Sequence, residues 1–496
     1  MKNFKLSEIY SDGMIFQRNR PICIEGEAFT NCEITATLGA DTTSQAVSAG
    51  KFCLQLPARA ADRGLTLAVS AAGEKVTISN VYVGEVWLAA GQSNMEWYLN
   101  ICDPAESNPI KPNEDLRFYT VGRTLLNEYE PGYEWAVVKD SGWAGCNEET
   151  APHFSAVAYH FAHKLYKNLQ VPIGIINCNV GGSSIFSWIP HEEFQTNKNI
   201  REVWDKFQDI FAKTDMSQAK EKFYKGLDAA KPDWADTHEN KSGTPHQAVI
   251  VYTVEEYGPY HYHCPGILYY SMLEKVASFP AKGMIWYQGE TEAHPDGVRL
   301  YPHALKSLIG NCKAKQADGA EEYAFHMVQL APWDDPGATN WASFCDMQRQ
   351  YHLDNPQHGI ATIGDLGGGT DIHPPRKKGV GERLAYAAME LNYNIPHEFC
   401  GPLATDAKVQ GDEIAVSFSH NDGMYYNEAI GTFEVISADG TVAEVAAQVK
   451  DGKVFASLKG VNFKPEGIRY EFKSDPKIGL FNSSDIPASV FSLTIR

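Results

Sequence analysis

Residues 86–99 read VWLAAGQSNMEWYL. Val86 to Ala90 is an unbroken apolar run of strand length, the pattern of a strand buried on both faces. Gly91 and Gln92 break the run, and Ser93 stands where a helix can begin. A serine at a strand-to-helix turn projects its hydroxyl from the end of a sheet, and the helix start favours an oxyanion beside it. A serine in that position also serves simply to cap a helix. The choice between the two depends on what else the chain places at strand ends.

Working outward, other apolar runs alternate with helical patterns. Residues 171–177 (VPIGIIN), 284–287, 325–330 and 360–363 read as buried strands. Residues 153–169 carry Phe154, Val157, Ala158, Phe161 and Leu165 at helical spacing, and a further helix is expected over 376–391. Strands alternating with helices imply a parallel α/β sheet, whose chemistry sits beyond the carboxyl ends of the strands. Residues 1–80 read instead as short strands punctuated by glycines: 22–24, 33–38 and 65–69. Strand texture returns after 398, at 413–418, 432–436, 454–458 and 468–472. The expected architecture is therefore an α/β core over 81–397 between an N-terminal β domain (1–80) and a C-terminal β domain (398–496). Residues 191–262 interrupt the core with a polar insertion, helical at REVWDKFQDIFAK and loop-like at KPDWADTHENKSGTP (231–245), which reads as a lid or substrate wall.

The chain has 496 residues and a formal net charge of -19. That balance argues against a nucleic-acid groove or an anionic membrane surface as partner. The ten cysteines form no CxxC pair, so a zinc ribbon or redox motif is not expected, and scattered thiols in a reducing compartment are. With no apolar leader-like stretch and no run of 18 apolar residues, a soluble cytoplasmic protein is expected, a processed secreted form being the alternative.

Acyl transfer by a serine needs a base, a group that orients the base, and donors for the oxyanion. His373, in GGGTDIHPP (367–375), is the base candidate, held between glycines and prolines just before a helix that Pro374 and Pro375 can start. Asp371 shares its loop, and Asp365 is the rival carboxylate. Donors can come from NCNVGGSS (177–184), where the glycines leave backbone N–H groups open, and from the side-chain amide of Gln288 in IWYQGET (285–291).

Together these blocks resemble the sialate O-acetylesterase family, a branch of the SGNH (GDSL-like) hydrolases. GQSNM around Ser93 is similar to that family's nucleophile block, NVGGSSIFSW (179–188) to its glycine block, WYQGET (286–291) to its WYQGES block, and DLGGGTDIHP (365–374) to its histidine block. The opening segment 11–28 and the closing segment 480–491 match as well. The resemblance implies an SGNH-type parallel-sheet fold and release of acetate from an O-acetylated sialic acid through an acetyl-serine intermediate. Ser93 would be the nucleophile and His373 the base, with the backbone N–H groups of Ser93 and Gly182 and the side chain of Gln288 as the oxyanion hole. It implies no metal and no organic cofactor. The chain departs from the family where an Asp generally stands three residues before the His, since Thr370 occupies that place. Asp371, Asp365 or a backbone carbonyl is left to orient His373. Thr291 replaces a Ser.

Acetylated xylan or another plant glycan is the rival substrate, because the chemistry is the same and the pocket wall decides. Arg299, Arg349 and Arg376 lie near the motifs and could meet an anionic sugar, though each reads more simply as a surface ion-pair partner. A non-catalytic sugar-binding module is the alternative of another class. The string His261-Tyr262-His263-Cys264 has metal-ligand residue types but no second cluster at ligand spacing.

Overall fold

In the computed structural model the described residues are 3–123, 138–239, 258–319, 322–427, 429 and 431–496. They divide into two compact units, one of residues 1–285 and 303–324, the other of 286–302 and 325–496.

The first unit is built on the strand Glu74–Gly91. Its first half pairs antiparallel with Asp62–Ala71 through a tight turn at Ala72 and Gly73, both at positive φ, the backbone that matches the natural twist of a hairpin. From Val81 to Gly91 every residue is buried, and that half becomes a parallel strand. Ile173–Asn179 runs alongside it with Ile173 opposite Glu85 and Asn179 opposite Gly91, and on its other side pairs parallel with Asn113–Thr120. The expected junction at residues 80 and 81 therefore falls inside one continuous strand. The N-terminal segments that read as strands do form antiparallel pairs: Ile22–Ala28 with Gly50–Leu56, and Cys32–Leu38 with both Asp41–Val47 and Asp62–Ala71. The helix Ala156–Leu169 starts at Ser155, whose Oγ accepts the Ala158 N–H at 3.2 Å. It buries Phe161 edge-on against Trp87.

Within the insertion, helices span His191–Thr196, Arg201–Lys213 and Met216–Glu239. Residues 231–239, expected as loop, are thus helical. Pro232 suggests a break, since an interior proline removes a backbone hydrogen bond and crowds the preceding turn at a cost of about 3 kcal/mol, yet the helix runs through it. Residues 240–257, which include the rest of that loop expectation, lie outside the described residues.

In the second unit Ala324–Val328 pairs parallel with Gly359–Ala361, and the helices Trp341–Asp354 and Lys378–Tyr393 follow their strands. The second helix begins after Pro374 and Pro375, so the prolines shape the loop before it and do not open it. The C-terminal part is antiparallel: two four-stranded sheets and one two-stranded pair around a core that includes Val416, Phe433, Ile468, Tyr470 and Phe491. The chain is accordingly an α/β protein with parallel core strands and antiparallel β elements on either side in sequence. Among the described residues no helix is long and apolar enough to cross a membrane, and all ten cysteines are free thiols.

Candidate active site

The expected site residues fall in both units. In the first, Ser93 opens the helix Ser93–Glu96 directly after the buried strand. Gly91 takes φ +142°, a value L side chains rarely adopt, and makes the sharp exit from the strand. Gln92 O accepts the N–H groups of Met95 and Glu96 at 2.9 and 3.0 Å and closes the turn. The helix is a single turn, so the macrodipole expected from the sequence is weak. Individual N–H groups must do the work.

The glycine block lies against this turn. A Cβ built on Gly181 would stand 3.4 Å from Ser93 Cβ and 3.3 Å from a Glu96 carboxylate oxygen. A side chain there would crowd the Glu96 carboxylate and touch Ser93, so the glycine lets the two segments pack closely. Gly182 takes φ +68°, and its carbonyl bonds His263 Nε2 at 2.7 Å.

Two residues that the sequence reading passed over hold this arrangement. Glu96 is 2% exposed, accepts the Gly181 N–H at 2.7 Å, and pairs with the guanidinium of Arg123. Arg123 also donates to Asn179 O at 3.1 Å. Burial pushes the Glu96 carboxyl up, while Arg123 and the Gly181 N–H pull it down. One carboxylate so ties the serine turn to the glycine block. The clue in the sequence is a lone acid three residues after Ser93 in an apolar stretch. Glu96→Ala should destabilise the protein by about 3–5 kcal/mol, because it breaks a buried ion pair and removes the acceptor of the Gly181 N–H. A urea midpoint equivalent to less than about 1 kcal/mol of change would show the pair to be dispensable.

The string 261–264 serves the same block. His261 Nδ1 accepts the His263 N–H at 3.0 Å, the Tyr262 carbonyl accepts Ser187 Oγ–H at 2.7 Å, and burial pushes the Cys264 thiol up to about 12. These residues do not converge on a common ligand point among the described residues. The metal reading of this string is therefore set aside in favour of support for Gly182.

In the second unit Gln288 follows the strand Gly283–Tyr287 and is fully buried. Its Nε2 donates to Glu292, and its Oε1 accepts Tyr301 O–H at 2.8 Å. Trp286 Nε1 donates in turn to the Tyr301 oxygen at 2.9 Å. An amide nitrogen carries two N–H groups. Glu292 fixes the orientation of the amide through one of them. Glu292 and Tyr301 are further residues the motif reading missed, though Glu292 sits only four places after Gln288.

His373 lies in a loop tied down by Asp334 N to Gly369 O at 2.7 Å, Gly368 N to Pro332 O at 2.9 Å and Trp333 Nε1 to Thr370 O at 3.1 Å. Asp371 Oδ1 accepts the backbone N–H of His373 at 2.8 Å, which stiffens the turn. Burial holds the His373 imidazole below its ordinary value, the buried Lys377 lowers it further, and Asp371 opposes both. The rival Asp365 is gripped by both guanidinium nitrogens of Arg383 at 2.6 and 2.7 Å. It is an ion-pair anchor for the loop and not a free carboxylate. Of the three arginines, Arg299 is an exposed partner of Asp296 and Arg376 donates to Asp365 O. Arg349, expected at the surface, is instead 1% exposed and paired with Asp346.

A protein-family profile described as carbohydrate esterase, sialic acid-specific acetylesterase, matches residues 83–227. The mouse sialate O-acetylesterase is 25% identical over 350 residues, 66% of this chain and 60% of that protein. The human sialate O-acetylesterase is 25% identical over the same share of this chain and 57% of its own length. The match thus spans less than two thirds of these curated relatives. A solved carbohydrate acetylesterase from Xanthomonas citri superposes with a TM-score of 0.78 at 26% identity, covering 99% of both chains. The strand–GQS–helix turn, the glycine block against it and these three findings agree: the chain is similar to the sialate O-acetylesterases and to a solved carbohydrate acetylesterase, with the family profile falling on residues 83–227.

Proposed function

We propose that the protein is a serine carbohydrate O-acetylesterase. The observation that carries this is the placement of Ser93 at the end of a fully buried parallel strand with Gly181 of the glycine block packed against it. Ser93 Oγ attacks the acetyl carbonyl while His373 takes its proton. The imidazolium then protonates the leaving sugar oxygen, and acetyl-Ser93 remains. Water, deprotonated by His373, releases acetate and restores the hydroxyl. The N–H groups of Ser93 and Gly182 and the Gln288 amide receive the oxyanion. Asp371 acts on His373 by stiffening its turn and by its charge. Gln288→Ala should lower kcat by about 10²–10³-fold, the usual effect of removing one oxyanion donor. An unchanged kcat would remove Gln288 from that role.

For substrate, the family name favours an O-acetylated sialic acid. The structural relative that covers the whole chain is described only as a carbohydrate acetylesterase, which is equally compatible with the second reading, acetylated xylan or another plant glycan. Acetate release from O-acetylated sialic acid and from acetylated xylo-oligosaccharide, side by side with Ser93→Ala as the blank, decides between them. Release from neither, with intact protein, would bring the sugar-binding role into serious contention.

A further inference from the structure

We propose that His352, Cys400 and His420 form a binding site for a zinc ion that joins the helix Trp341–Asp354 to the C-terminal β elements. The donor atoms of the three side chains, one imidazole nitrogen each and the Cys400 Sγ, lie within 4.8 Å of one another. Ligands on one zinc ion sit about 2.0–2.3 Å from the metal, so closing the site asks for side-chain movements on the order of an ångström.

The surroundings prepare both imidazoles. His352 Nδ1 bonds the His358 carbonyl at 2.6 Å. A carbonyl only accepts, so Nδ1 carries the proton and Nε2 keeps the lone pair. His420 Nδ1 bonds the Glu398 carboxylate at 2.6 Å, which sets the same tautomer and makes the other nitrogen a better donor. A carbonyl or carboxylate behind a ligating histidine is the arrangement that orients and strengthens such ligands in metalloproteins. Asn482, itself fully buried, donates Nδ2–H to Cys400 O at 2.9 Å and to His420 O at 3.2 Å, and so fixes the two loop ligands against each other. His420 is held at φ +54°, an uncommon conformation for a side-chain-bearing residue.

A thiolate with two imidazoles suits zinc and excludes magnesium or calcium, which prefer oxygen. Cys400 and His352 are buried, whereas the His420 side chain keeps 23% of its surface exposed and gives the ion a way in. Binding converts the Cys400 S–H bond to a sulfur–zinc bond and releases the proton to solvent. Three protein ligands leave one position for water. The ligands are 48 and 20 positions apart, so no short sequence motif announces them.

The test uses the full-length protein, stripped with a chelator and titrated with zinc against a chromophoric competitor. Cobalt(II) is then substituted, and the thiolate-to-cobalt absorption is recorded. One zinc per chain, the absorption band and a rise in melting temperature on adding zinc are expected. All three should be lost in Cys400→Ser and in His420→Gln. They should persist in Cys146→Ser, whose thiol lies 3.7 Å from His163 elsewhere in the protein. Substoichiometric zinc in the wild type, or stoichiometry and band retained in both Cys400→Ser and His420→Gln, would overturn the proposal. His420→Gln alters a partly exposed side chain and so remains informative if Cys400→Ser fails to fold.

Discussion

Ser93→Ala is expected to lower kcat for acetyl-ester hydrolysis by about 10⁴–10⁶-fold, the scale on which serine hydrolases lose activity with their nucleophile. Its melting temperature should be almost unchanged. Alanine is the best helix former, and the turn is closed by backbone bonds to Gln92 O that do not need the hydroxyl. The clasp between Glu96, Arg123 and Gly181 is also left intact. Acetate release under saturating substrate, with a thermal melt on the same sample, checks both halves. Activity within tenfold of wild type would sink the acetyl-serine mechanism.

His373→Ala should cause a comparable loss, because nucleophile and base act as one unit and their single losses do not add. The sharper test is the pH dependence. The base works as neutral imidazole, and burial together with Lys377 holds its pKa below the ordinary 6.5. The acidic limb of kcat/KM should therefore lie below pH 6.5, and activity should persist into mildly acidic solution. The Asp371 charge opposes this by raising the pKa. Asp371→Asn should move the limb further down with a modest fall in kcat, and Lys377→Met should move it up. A limb above 6.5, or one that Asp371→Asn shifts upward, would take the role of base away from His373.

The strands and helices that turned out as expected are those whose signal is local. Val86 to Ala90 and residues 173–176 are continuous apolar runs, and each lies in a fully buried parallel stretch. The helix at Ala156–Leu169 has its serine cap where its apolar spacing begins. Ser93 and the glycine block were legible for the same reason, since each sits at the end of such a run. What holds them was not. Glu96 meets Arg123 and Gly181 across 27 and 85 positions, and His263 meets Gly182 across 81. No periodicity encodes such pairings. Arg349, expected at the surface, is buried against Asp346, because a charged residue looks solvent-exposed until its partner is known.

The strand Glu74–Gly91 acts as a single beam. Eighteen residues long, it extends over roughly 60 Å at the usual rise per residue. It carries hairpin pairing at one end and delivers the serine at the other. The N-terminal β region is therefore no detachable accessory. A truncation that starts the chain at residue 81 would cut through a structural beam, strip its antiparallel partner Asp62–Ala71 and leave half a strand to position Ser93. Anyone dividing this protein into modules, grafting its catalytic part or swapping its β region with a relative's should place the cut outside residues 62–91.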